Sequence, residues 1–130
     1  MSFEVVLKTM KQILIQDIKI PEHRYHILAA TLDSKDRFIA FGKNSYTKTH
    51  PLQQKYAFHS NPFRKYLHAE IAALVKSQTK VQSIIIMRMN KSGYIRMAKP
   101  CPICMLALQE ARVKNIYYTD ADGFLQKEEL

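Results

Sequence analysis

Apolar side chains at the start of the chain recur at helical spacing: Phe3, Val6, Leu7, Met10, Ile13, Leu14 and Ile18 form one stripe, with Lys8, Lys11, Gln12 and Gln16 between them. This predicts an amphipathic helix over Ser2 to Ile18, ended by Pro21. The pattern then changes to strands. His26 to Leu32 and Arg37 to Phe41 flank the polar turn Asp33-Ser34-Lys35-Asp36, so a β-hairpin closed by Gly42 is expected. From Lys43 to Lys65 no period is sustained, and a long loop with room for one short helix follows. Helical composition returns over Leu67 to Ser77, with Ile71, Leu74 and Val75 on one side and His68 and Glu70 in the first turn. Val81 to Met89, with its run of isoleucines, reads as a buried strand, followed by a turn at Asn90-Lys91-Ser92-Gly93. Pro102 suits the first position of a helix running to about Arg112, with Cys101 as its flanking residue. Asn115 to Thr119 is a short strand, Asp120-Ala121-Asp122-Gly123 a turn, and Phe124 to Gln126 a final strand. The predicted order is α-β-β-α-β-α-β-(β), an α/β chain without internal repeats whose three glycines each fall at a predicted turn.

With 130 residues, 47% of them apolar, the chain is expected to form one domain over residues 1–130 with a real core. No apolar run approaches a membrane span, and Met1-Ser2-Phe3-Glu4 lacks the basic start and apolar core of a signal peptide, so a soluble, cytoplasmic protein is expected. Both cysteines lie three apart in one motif, which in a reducing compartment reads as metal ligands or a redox pair.

Charge is unevenly distributed. Residues 37–109 hold 12 Lys or Arg against one acid, a formal +11, whereas the whole chain carries +9. Such a field attracts a phosphate-bearing ligand, a nucleotide or a polynucleotide, although solubility alone would account for it equally. Within the long loop, Tyr46, Tyr56, Phe58, Phe63 and Tyr66 interleave with Lys43, Lys48, Lys55, Arg64 and Lys65. That mixture can stack bases and hold phosphates, or can tuck its aromatics onto the core. His50 and His59 in the same stretch read either as extra ligands or as solvated loop histidines.

The single acid of the basic stretch is Glu70, in the triplet His68-Ala69-Glu70, and 33 positions after His68 stands Cys101 in Pro100-Cys101-Pro102-Ile103-Cys104. One histidine and two cysteines give three zinc ligands and leave the fourth tetrahedral position open, which marks a catalytic site. Cys101 and Cys104 are one helical turn apart, and the positive end of their helix favours thiolates. A Cys-x-x-Cys beside a strand can also be a thiol redox pair, and the upstream His-x-Glu weighs towards zinc.

These two motifs resemble those of the cytidine deaminase superfamily of zinc nucleobase deaminases. The resemblance covers about residues 26 to 119 and implies a three-layer α-β-α sandwich, a mixed sheet of about five strands carrying the metal-bearing helices on one face. It implies that His68, Cys101 and Cys104 bind Zn2+, that Glu70 shuttles protons as the catalytic residue, and that the backbone of Ala69 orients the base. Asn44 would hydrogen-bond the substrate, with Tyr46 beside it, while Lys48, Arg64, Lys65 and Tyr117 would be phosphate or strand contacts. For Tyr117 and Tyr118, strand alternation requires that one face inward. The implied reaction is attack of an activated water on the carbon bearing the exocyclic amine, with Glu70 taking its proton and returning protons to the ring nitrogen and the departing amine.

Substrate choice is less constrained. The link after Thr119 is too short for a parallel crossover, so an antiparallel final hairpin is expected, similar to the free-cytidine branch of the superfamily. A histidine ligand cuts the other way, because many short tetrameric cytidine deaminases use a cysteine there. The expected function is deamination of cytidine, deoxycytidine or dCMP to the uracil product. A deaminase of single-stranded DNA or RNA is the alternative, and a non-catalytic zinc-containing nucleic-acid-binding module an alternative of another class. Related enzymes are commonly homodimers or homotetramers.

Overall fold

The computed structural model describes residues 1–45, 50–60 and 67–130, with the side chains of 56–60 outside that description. In chain order the elements are α1 (Phe3–Asp17), β1 (His26–Leu32), β2 (Phe38–Lys43), α2 (Pro51–Ser60), α3 (Ala69–Lys76), β3 (Ser83–Met89), β4 (Ile95–Arg96), α4 (Pro102–Glu110), β5 (Asn115–Thr119) and β6 (Leu125–Glu129).

The strands form one mixed sheet of order β2-β1-β3-β5-β6, with β4 paired to the end of β3. β3 and β5 are parallel, and the other pairs are antiparallel. Alternation decides the two faces. Leu28, Ala30 and Leu32 of β1, with Ile85, Met87 and Met89 of β3, pack against Val6, Met10 and Leu14 of α1. Ala29, Ile84, Ile86 and Ile116 point the other way, against Ala69 and Ala73 of α3 and Leu108 of α4. β3 is covered on both sides, which is why its sequence is an unbroken apolar run from Ile84 to Met87. A third cluster, Ile71, Ile103, Cys104 and Ala107, welds α3 to α4. Three layers result: α1, the sheet, and the pair α3 and α4.

α1 begins at Ser2, whose hydroxyl accepts the Val5 N–H at 3.3 Å, and its buried stripe is Val6, Met10, Leu14 and Asp17. The last of these is a carboxylate at the C-terminal end of the helix. Burial pushes the Asp17 carboxyl up, but hydrogen bonds from Lys43, His26 and His23 outweigh it and hold the group below its ordinary value. The His26 and His23 bonds are 2.6 and 2.7 Å long. One buried carboxylate therefore ties α1 to the start of β1 and the end of β2.

The structure departs from the sequence reading at Gly42 and at β4, and supplies the short helix for which the long loop had room. Gly42 does not close the hairpin; it lies inside β2, opposite Ala29. A Cβ there would overlap the backbone of α3 at Ala69 and Ala73, coming within 2.6 Å of the Ala73 Cα, so glycine is what lets that helix settle on the sheet. Residues 51–60 of the expected loop form α2, whose first turn is held by His50 Nδ1 accepting the Leu52 N–H at 3.0 Å. The two-residue β4 was not expected, because so short a pairing leaves no period. Of the other glycines, Gly93 and Gly123 do occupy turns, each with φ +87°. Among the described residues no helix is long and apolar enough to cross a membrane.

Candidate metal centre and substrate cleft

His68 and Cys101 occupy equivalent places: each is the N-cap of a helix, α3 and α4 respectively, in extended conformation, and neither side chain caps its own helix. Their side chains turn towards each other, and Pro102 at the first helical position fixes where α4 begins. His68 Nδ1 lies 3.2 Å from Cys104 Sγ and 3.5 Å from Cys101 Sγ. The three ligand atoms all lie within 4.8 Å of one another. Tetrahedral bonds of zinc to sulfur and nitrogen separate neighbouring ligand atoms by about 3.5–3.8 Å. The donor set and its spacing fit that ion.

The electrostatics of the two sulfurs are unequal. A hydrogen bond from the Cys104 thiol, together with His68, brings the Cys101 thiol down to about 3 against the opposing effect of burial. Cys104, which gives that hydrogen bond and is itself buried, is pushed well up. The metal-free pair thus keeps one proton between two sulfurs, and a bound cation displaces it.

Glu70, the second residue of α3, is only 5% exposed. Burial raises its carboxyl above the ordinary value, opposed by its own backbone N–H, by Cys104 and by the His68 charge. A carboxyl raised by burial beside a metal-binding cluster is suited to accept and release protons.

A cleft of about 610 Å³ opens onto these groups, lined among others by Asn44, His68, Ala69, Glu70, Arg88 and Cys101. Asn44, just past β2, closes the sheet edge through both of its ends. Its side-chain oxygen accepts the Ile27 N–H at 3.2 Å and its backbone N–H reaches the Ile27 carbonyl at 3.4 Å, which orients the carboxamide at the cleft wall. Ala69, buried, contributes to the wall from the first turn of α3. Tyr117 is placed elsewhere: it is on the α1 face, edge-on to Phe3 with ring centroids 5.1 Å apart, so alternation turns Tyr118 instead towards the metal side. Tyr118 donates to Glu128 at 3.1 Å. Tyr46, Lys48, Arg64 and Lys65 lie outside the described residues, as does the His59 side chain.

Two residues that the motifs did not indicate belong to the site. Gln53 of α2 is fully buried, and its side-chain oxygen accepts the His68 N–H at 3.1 Å, holding the ligand-bearing residue from behind. Arg88 interrupts the apolar run of β3 on the cleft face. That interruption was the available signal for Arg88; for Gln53, in a segment without a period, there was none.

Fold and site together define a zinc-dependent nucleobase deaminase scaffold. The family model of the cytidine and deoxycytidylate deaminase zinc-binding region matches residues 5–120, and the chain belongs to that family. The match takes in α1 as well as the motifs, and zinc is the cofactor that this family and the His68, Cys101 and Cys104 group specify. A comparison with curated proteins found no match. Among solved structures, the chain is similar to the apo form of dCMP deaminase from the cyanophage S-TIM5, at 24% identity over 95% of this chain and 90% of that one, with a TM-score of 0.54. The same enzyme in complex with dCMP and dUMP gives 23% identity, 93% and 85% coverage and a TM-score of 0.53. Cytidine deaminase from Mycobacterium leprae gives 14%, 93% and 92%, and 0.51. At these identities the likeness is one of fold.

Proposed function

We propose that this chain, read as one deaminase domain, is a zinc-dependent hydrolase that converts the cytosine of a nucleoside or nucleotide to uracil with release of ammonia. The observation that carries the reading is the buried Glu70 carboxyl in the cleft, beside the three converging donors of His68, Cys101 and Cys104. When bound there, zinc supplies a polarised water of lowered pKa at its open position. Glu70 would take one proton from that water and deliver it to the ring nitrogen. It would then carry the second proton, from the hydroxyl newly bonded to the attacked carbon, to the amine, so that the carbonyl forms as the C–N bond breaks and ammonia leaves. Asn44 and the backbone at Ala69 fix the substrate against the cleft wall, so that the carbon bearing the amine faces the water.

The cleft volume of about 610 Å³ suits one nucleotide-sized ligand and supports a free substrate over a strand. The antiparallel β5–β6 hairpin supports the same reading. Against a non-catalytic zinc module stands the cost of burying a carboxyl that a purely structural metal site has no use for.

The decisive experiment assays the zinc-loaded protein on cytidine, deoxycytidine, dCMP, single-stranded DNA and RNA, with Glu70→Gln as control. The variant is expected to keep one zinc and to lose activity by about 10²–10⁴-fold. Near-parental turnover by Glu70→Gln, or product from polymers alone, would sink the reading.

A further inference from the structure

We propose that Arg88 anchors a phosphate monoester on the substrate, so that the cleft selects a cytosine nucleoside monophosphate over the free nucleoside. The inference rests on the deaminase reading and narrows it to one substrate class.

Strand register aligns Arg88 with Asn44 across the sheet. Ile27 of β1 pairs with Arg88 of β3, and on its other side is bonded twice to Asn44. Asn44, Ile27 and Arg88 therefore form one cross-strand row, and all three line the cleft. The neighbouring row, one pair of positions further in, is Gly42, Ala29 and Ile86, and the first turn of α3 sits on it at Gly42. The groups that would meet the base belong to α3, over the inner row. The outer row offers an amide at one end and a guanidinium at the other, two strand spacings or about 10 Å away.

The charge environment makes that guanidinium a receiver of anions. Arg88 is half-buried, and its guanidinium has no ion pair or hydrogen bond among the described residues. Two neighbouring cations among the described residues are committed: Lys99 pairs with Glu128 at 3.1 Å, and Arg96 lies over the Tyr94 ring at 5.5 Å and reaches the Ala121 carbonyl at 3.4 Å. Arg96 is also the direct antiparallel partner of Arg88, and like charges at opposed positions are destabilising. A dianionic phosphate reverses the sign of that interaction and takes two parallel hydrogen bonds from the planar fork. The inner side of the cleft is taken by Glu70 and the metal donors, which leaves the Arg88 end of the outer row as the place where an anion is received.

The test is calorimetric titration of the zinc-loaded parent, Arg88→Ala and Arg88→Gln proteins with deoxyuridine and with dUMP at fixed ionic strength, alongside steady-state kinetics on deoxycytidine and dCMP. The parent is expected to bind dUMP at least about tenfold more tightly than deoxyuridine, and both variants to bring that ratio within about twofold. The loss should appear mainly in KM for dCMP. Equal affinity of the parent for the two ligands, or an equal loss of both in the variants, would overturn the proposal. Deamination of cytosine compounds without a phosphate preference rejects Arg88 as the anchor and leaves the deaminase reading intact. Absence of deamination on every cytosine compound rejects that reading, and the binding ratio still decides the role of Arg88. Thermal melts verify folding, and Arg88→Gln retains the readout if the alanine variant does not fold.

Discussion

Gln53 has no counterpart in either metal motif, yet its side chain accepts the backbone N–H of His68 and so sets the direction in which that N-cap residue leaves α3. Groups that orient a metal ligand from behind commonly contribute a factor of ten or more in affinity. Gln53→Ala is expected to weaken zinc binding by about tenfold, read by competition with a chromophoric chelator, with the fold retained. Unchanged zinc affinity would remove Gln53 from the site. Glu70, His68, Cys101 and Cys104 were legible in the sequence because each motif packs its chemistry into a single helical turn, where spacing alone fixes the geometry. Gln53 and Arg88 were not, since their roles depend on where α2 and β3 lie relative to the motifs, and only tertiary packing sets that. Tyr117 and Tyr118 show the limit of alternation: it requires one of the two to face the metal side, and the choice between them waits on strand register.

At the level of elements, the C-terminal end of β2 carries disproportionate weight. Gly42→Ala pushes a methyl group into the backbone of α3, and neither element can yield without moving the metal ligands. A loss of about 3 kcal/mol in denaturant unfolding is expected, with weakened zinc retention. Next to it, Lys43 joins His23 and His26 on the buried Asp17. Because the Asp17 carboxyl is held below its ordinary value of 3.8, its contribution is fully present above that pH and is lost as the pH falls through the depressed folded value. Asp17→Asn should therefore cost about 3 kcal/mol near neutrality, where it leaves the half-buried Lys43 ammonium without its anion. The difference from the parent should shrink on acidification below about pH 4, as pH-dependent melts would show. A constant difference across that range would mean that packing, and not charge, is what Asp17 supplies. Helices and long strands were readable from their periods; α2 and β4 were not, because one comes from a stretch without amphipathic pattern and the other is two residues long.

On the scale of the whole molecule, the metal centre joins parts of the chain that are far apart in sequence: 33 positions, including all of β3 and β4, separate His68 from Cys101. Without zinc, the ligand-bearing ends of the two helices rest on apolar packing, chiefly the small cluster of Ile71, Ile103, Cys104 and Ala107. Dialysis against a chelator is expected to lower the melting temperature by at least about 5 °C, with full recovery on adding back one equivalent of zinc. No change on metal removal would assign the stability of the α3 and α4 layer to apolar packing alone.

That dependence has a practical side. The chain contains no tryptophan, so the usual fluorescent reporter of tertiary structure is missing. Two sulfur donors and one imidazole, delivered by the first turns of two helices, are a chromophore in waiting. Cobalt taken up in place of zinc would absorb visible light only while both helices stand in place. Colour would then follow the assembly of this layer in real time, independently of whether any substrate is present.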